Sequence, residues 1–138
     1  MRAFFILFIA TMYSCGDQEA SSDRTCSPFI ISSEKYNDSE SIFVSALSAY
    51  IDDSCLYVEL GISGCSADQE IDMVTDGAVD DSLPQQISFK FLNVTPELCE
   101  AYFVIEYAFD LTDVNSLLDS AVMINLSESD IQILFANE

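Results

Sequence analysis

Apolar and polar residues alternate along most of this chain with the period of two that marks strands facing a core on one side only. In segment 42–50, Ile42, Val44, Ala46, Ser48 and Tyr50 alternate against Phe43, Ser45, Leu47 and Ala49. In 101–111, Tyr102, Val104, Glu106, Ala108 and Asp110 alternate against Phe103, Ile105, Tyr107, Phe109 and Leu111, and the second set is predicted to face the core. Further strands are predicted at 29–31, 56–62, 70–75 and 86–94, and a closing hairpin at 121–126 and 131–135. Turn residues punctuate them: Asp52-Asp53-Ser54, the Gly64-to-Asp68 stretch, Asp76-Gly77 and the Ser127-to-Asp130 stretch. Thr95-Pro96 has the cap-then-proline order of one helical turn over 95–98, and 113–118 reads as a short helix or loop with Asp113 and Ser116 as capping residues. About eight short strands at ten-residue intervals, with no long helical period, predict an all-β fold, an antiparallel β-sandwich of the immunoglobulin-like kind.

One stretch breaks the pattern. Arg2 precedes the unbroken apolar run 3–10, and the chain then reaches Ser14-Cys15-Gly16. A charged start, a short apolar run and a small residue before a cleavage point mark a secretory signal, too short to span a bilayer. The Cys after the small residue resembles the lipobox of bacterial lipoproteins, where it becomes the diacylated N-terminus. The usual Leu three positions before it is Met12 here, followed by Tyr13; looser versions of this kind occur in Bacteroidota lipoproteins. An ordinary signal cut nearby, with Cys15 an extra thiol, is the alternative. Cysteine parity argues against it: five cysteines leave one odd in an exported protein. Lipidating Cys15 leaves Cys26, Cys55, Cys65 and Cys99 as an even set for two disulfides. The predicted organisation is therefore a signal peptide at 1–14, a lipidated flexible tether at 15–25 and a β-sandwich domain at 26–138.

Strand parity proposes the pairing. If successive strands alternate direction and 56–62 runs upward, Cys55 lies at the lower end and Cys65 at the upper. Strand 70–75 then runs down and 86–94 up, which brings Cys99 to the upper end. Strand 42–50 runs down and 29–31 up, which puts Cys26 at the lower end. Cys26–Cys55 and Cys65–Cys99 follow, and a Cys55–Cys65 link would contradict this topology.

Composition narrows the function classes. Once residues 1–14 are removed, Arg24, Lys35 and Lys90 stand against 24 acids, a net charge of −21. A field of that sign repels nucleic acid, which is excluded as a partner, and repels anionic headgroups; solubility is the simplest use of it. The chain has no His and no Trp. Imidazole-based triads and His-ligated zinc are excluded by residue type, and the commonest sugar-stacking side chain is missing. Asp52-Asp53, Asp76, Asp80-Asp81, Asp110 and Asp113 are oxygen donors of the type calcium takes, but no loop has EF-hand spacing. Paired carboxylates also suit glycosidase chemistry, yet a domain of this size offers no deep sugar cleft. No catalytic residue, metal ligand or cofactor is therefore assigned. The aromatic run Tyr102, Phe103, Tyr107 and Phe109 is read as core. Asp81-Ser82-Leu83 and Asp119-Ser120-Ala121 resemble Bacteroidota O-glycosylation acceptors, making Ser82 and Ser120 candidates.

Cys55-Leu56 with Val58, Ser63-Gly64-Cys65, Cys99 with Ala101, and Phe109-Asp110-Leu111 resemble a set of small uncharacterised Bacteroidota lipoproteins. The resemblance covers about half of the chain after the signal and departs after Cys65, where a His is replaced by Asp68-Gln69-Glu70. It implies export and fold, with no assigned activity. The expectation is a non-enzymatic binding or accessory module, held at the cell outer membrane through acylated Cys15 in the bilayer, with a protein or glycan partner. The alternatives are an acidic surface-coat lipoprotein and a calcium-dependent glycan-binding domain.

Overall fold

The computed structural model describes residues 25–118 and 120–136. The alternation seen in the sequence becomes two sheets whose apolar faces meet. One sheet has four strands in the order β1 (Ser27–Pro28), β9 (Ala101–Asp110), β5 (Cys55–Gly64), β4 (Ala46–Asp52). The other is built on β8 (Gln85–Asn93), in the order β11 (Ile131–Phe135), β10 (Val122–Leu126), β8, β6 (Ile71–Thr75), β2 (Ile30–Ile31), with β3 (Phe43–Val44) and β7 (Val79–Asp80) also pairing β8. Helix α1 (Ser33–Asn37) packs against β6, and helix α2 (Thr112–Leu117) joins β9 to β10.

The all-β, two-sheet reading holds. Among the described residues the strand count rises from eight to eleven: two predicted strands divide, and β7 forms in a stretch where no strand was predicted. The segment from Ile42 onward runs from β3 in one sheet into β4 in the other, with a register shift between Ala46 and Ser48. A strand that changes sheets commonly does so through such a bulge. The shift also moves the inward face: Val44 and Ala46 are buried, then Ala49 and Ile51 pack on the core. Strict alternation over 42–50 missed this step.

Antiparallel ladders join β5 with β9, β4 with β5, β6 with β8, and β10 with β11. Three ladders are parallel, which corrects the wholly antiparallel expectation. β10 lies parallel to β8 because β9 crosses to the other sheet between them. β1 and β2 lie parallel to β9 and β6, so the first strand segment runs opposite to the direction that parity assigned. The cause is the polar segment after Ile31. That segment contains α1 and carries the chain back along the sheet before β3 begins. Ser32 caps α1, its hydroxyl accepting from Lys35 N at 3.2 Å.

Leu56, Val58, Leu60 and Ile62 from β5 meet Phe89, Phe91, Met73 and Ile124 from the other sheet. Phe91 and Phe109 touch across the layers, with ring centroids 5.6 Å apart. Leu111, Val114 and Leu118 close the lower end beneath α2. Asp110 Oδ1, rather than Asp113, accepts from Thr112 N at 2.8 Å at the start of that helix. Residues 95–98 form no helix. Thr95 Oγ1 accepts from Glu70 N at 3.1 Å, and Glu97 turns toward the Cys65 turn, so the chain crosses the upper end in extended form.

Candidate functional site

The structure joins Cys26 to Cys55 and Cys65 to Cys99, with Cα separations of 6.1 and 4.8 Å. At the upper end Gly64 pairs with Ala101, so the adjoining cysteines meet. At the lower end β1 is only two residues long and pairs at the end of β9 facing Cys55, so Cys26 arrives there despite its reversed direction. Cys15, the signal and residues 15–24 of the tether lie outside the described residues.

The upper disulfide sits in a dense polar lock. Glu97 Oε2 accepts from Cys65 N at 2.6 Å and Ser66 N at 2.9 Å. Buried Gln69 receives Asn93 Nδ2 at 2.6 Å and donates to Ser66 O at 3.1 Å. The Tyr107 hydroxyl donates to Gln69 O at 2.9 Å. Burial raises the Tyr107 pKa above its usual value, and the nearby Asp68 charge adds to the rise. Every partner is satisfied internally, so this cluster holds loops together.

The outer face of the four-stranded sheet is different. Neither helix packs on it, because α1 lies against β6 in the other sheet and α2 caps the lower end. Its outward positions bring together Tyr50 from β4, Tyr57 and Glu59 from β5, and Tyr102 and Glu106 from β9. Tyr50 and Tyr57 are paired across the strands and stacked, their centroids 4.9 Å apart at 10°. Glu59 and Glu106 face each other in register, and both are exposed. The Ser48 hydroxyl donates to Glu59, and the Tyr50 hydroxyl to Glu106 at 3.4 Å. Tyr102 lies across Gly61: a Cβ there would overlap the phenol end of the ring, with Cζ at 2.6 Å. Tyr102 is 59% exposed and Val104 54%. Tyr57 is nevertheless buried at 5% exposure, so the exposed part of this face is Tyr50, Glu59, Glu106, Tyr102 and Val104.

Tyr102 therefore leaves the aromatic run that was assigned to the core, while Phe109 is buried and Phe103 and Tyr107 face inward. The signal lay in the alternation itself, which already put Tyr102 and Glu106 on the polar side of 101–111. Tyr50 was harder to place, because the bulge changes its parity. Ser82 is half-buried and its hydroxyl donates to Pro84 O at 2.9 Å, whereas Ser120 is exposed; both sit at the lower end. Asp119, the first residue of the second acceptor pattern, lies outside the described residues. Among the described residues, no three of the Asp, Glu and Cys side chains gather as a metal site.

A second concavity of about 440 Å³ opens on the other sheet between α1 and β7, lined by Tyr36, Asp76, Asp80, Gln86, Ser88 and Asn125. Its carboxylates are occupied by local turns, Asp76 Oδ1 with Ala78 N and Asp80 Oδ1 with Ser82 N. Gly77, with φ of +78°, makes the bend between β6 and β7. Asn125 Oδ1 is buried there without a hydrogen-bond partner, while its Nδ2 donates to Gln86.

No family model matches the chain, and no curated protein does. Among solved structures, a DUF1344 protein of unknown function from Bacteroides vulgatus superposes on 82% of this chain with a TM-score of 0.51 and 13% identity. The likeness shows the fold. The chain spans 56% of that neighbour's length.

Proposed function

We propose that this chain is an exported lipoprotein held in the outer membrane by acylated Cys15, and that its sandwich is a non-enzymatic binding module working through the open Tyr–Glu face. The observation that carries the binding reading is that face: Tyr50, Tyr102, Glu59 and Glu106 stand exposed on neighbouring strands, and neither helix packs there, while the opposite sheet carries a helix. Flat aromatic surface on a fixed scaffold loses little side-chain entropy when a partner lands on it. The export reading rests on the signal, the lipobox-like Cys15 and the even set of disulfide cysteines. A tether of eleven residues reaches at most about 35–40 Å from the membrane to the lower end.

Two measurements test the reading. Cys15→Ala should remove the acyl mass and move the protein from the detergent phase to the aqueous phase; a variant that stays acylated contradicts the anchor. Tyr50→Ala with Tyr102→Ala should abolish a stoichiometric envelope partner while leaving the fold intact. Retention of that partner by the double variant contradicts the face.

A further inference from the structure

We infer that two copies of this chain pair through the free edge of β9, antiparallel about Val104, and join their four-stranded sheets into one. Among the described residues β9 pairs β5 along its whole length, but on its other side β1 covers only Phe109 and Asp110. The edge from Ala101 to Ala108 has no partner strand there. The inward side chains record the gap. Phe109, beside β1, is 1% exposed, whereas Phe103 and Ile105 are only half-buried; the inward residues of β5 are buried throughout. Edge strands in natural sheets are shortened, bent by bulges, covered, or blunted by lysine, proline or inward charge. The other edges here follow that rule: β1 and β2 are two residues long, α1 packs on β6, and β4, which carries the bulge, lies beside β11. β9 has none of these devices. Its register with β5 is unbroken, and 101–105 (AYFVI) holds no charge in a chain with 24 acids.

The segment that precedes β1 does not supply the missing strand. β9 separates β1 from β5, which sets those two strands about 9–10 Å apart. Cys26 nevertheless comes within 6.1 Å of Cys55, so the chain has left the edge before β1 begins. A second β9 fits. Leu111 N donates to Ser54 O at 2.7 Å, so the odd positions of β9 turn their main-chain groups to β5. Tyr102, Val104, Glu106 and Ala108 turn theirs to the free edge. A two-fold axis at Val104 exchanges about six main-chain hydrogen bonds, between the two Val104 residues and between Tyr102 and Glu106 of opposite copies. It sets Phe103 against Ile105 on the inner face and Glu100 against Ala108, so every carboxylate on the ladder meets a neutral side chain. An axis at Phe103 opposes Glu100 to Glu106, one at Ile105 opposes Glu100 to Asp110, and one at Glu106 opposes that residue to itself. Each is a like-charge pair that costs stability. β1 ends the ladder just below Ala108. The two lower ends then point opposite ways, and both tethers reach one bilayer when the axis lies along its normal. The pairing does not depend on what the open face binds, and it leaves Tyr50 and Glu59 outward on both copies.

The test uses the full chain, purified in a non-ionic detergent. Val104→Cys should form a disulfide between two copies under mild oxidation, because Cα atoms paired in this way lie about 5.5 Å apart, and digestion should recover the 104–104 linkage. Glu59→Cys, one strand further in on each copy, should not link, since its two positions stand at least about 14 Å apart. Sedimentation should give twice the chain mass for the parent. Val104→Glu should weaken that association about tenfold or more by opposing like charges at the axis. Gln132→Glu adds the same charge on β11 and should leave the association within about twofold. A parent that sediments as a single chain up to about 100 μM, equal linking at positions 59 and 104, or equal losses in the two charge variants overturns the proposal. So does a cysteine at 104 that links to a different envelope protein and never to its own kind. The open-face reading is tested separately, by whether an envelope partner depends on Tyr50 and Tyr102.

Discussion

Gly61→Ala tests the geometry of the open face without touching any residue that would contact a partner. Gly61 lies in the middle of β5 opposite Val104, and the phenol end of Tyr102 occupies the space its Cβ would take. The ring must move. Tyr102 is 59% exposed, so roughly 80 Å² of its surface is at stake, about 2 kcal/mol if every contact were lost. The ring slides sideways and keeps about half of that contact, and alanine in a strand recovers about 0.5–1 kcal/mol relative to glycine. The two effects nearly cancel. Urea unfolding should show a change within about 1 kcal/mol. A loss above about 2.5 kcal/mol would mean that the backbone itself requires glycine. An envelope partner held as well by this variant as by the parent protein would remove Tyr102 from the binding surface.

Other parts of the account carry their own tests. Replacing Cys65 and Cys99 by Ser opens a loop closed over a sequence separation of 34, and the chain-entropy relation puts the loss at about 4 kcal/mol in a urea melt; a loss below about 1 kcal/mol would show that the polar lock around Glu97 suffices alone. Glu106→Gln should raise stability by about 0.2–1 kcal/mol, since it ends the opposition with Glu59 while keeping an acceptor for Tyr50; a fall in melting temperature refutes the repulsion. Tyr107 has a raised folded pKa, so its contribution is complete below the ordinary value of 10.0 and is lost as pH rises through the folded value. Phenolate absorbance should show one late-titrating tyrosine that Tyr107→Phe deletes, and a Tyr107 that ionises with the exposed tyrosines contradicts its bond to Gln69.

What the sequence revealed and what it hid have the same physical origin. Period-two alternation depends only on local chain geometry, so β5, β6, β8, β9 and the terminal hairpin were legible, as were both disulfides. Events that depend on a neighbouring sheet were not. The bulge near Leu47, the crossing from β3 to β4 and the return of the chain through α1 are set by the partners those segments meet. The reversed direction of β1 and β2 followed from the last of these, and the Cys26 pairing survived because β1 is too short for its direction to matter. The candidate site was half legible. Tyr102 and Glu106 were on the polar side of their strand, but their approach to Tyr50, Tyr57 and Glu59 is a matter of register. The aromatic residues were counted as core because size alone does not distinguish an outward tyrosine from an inward one.

The central claim is that the open face of the four-stranded sheet is the working surface of a module displayed in the envelope. The most direct test places a photoreactive benzophenone side chain at Tyr102, or at exposed Gln132 on β11 of the opposite sheet, and irradiates intact cells. The account predicts one discrete crosslinked species from position 102 and none from position 132. Equal crosslinking from both positions, or from position 132 alone, would contradict it.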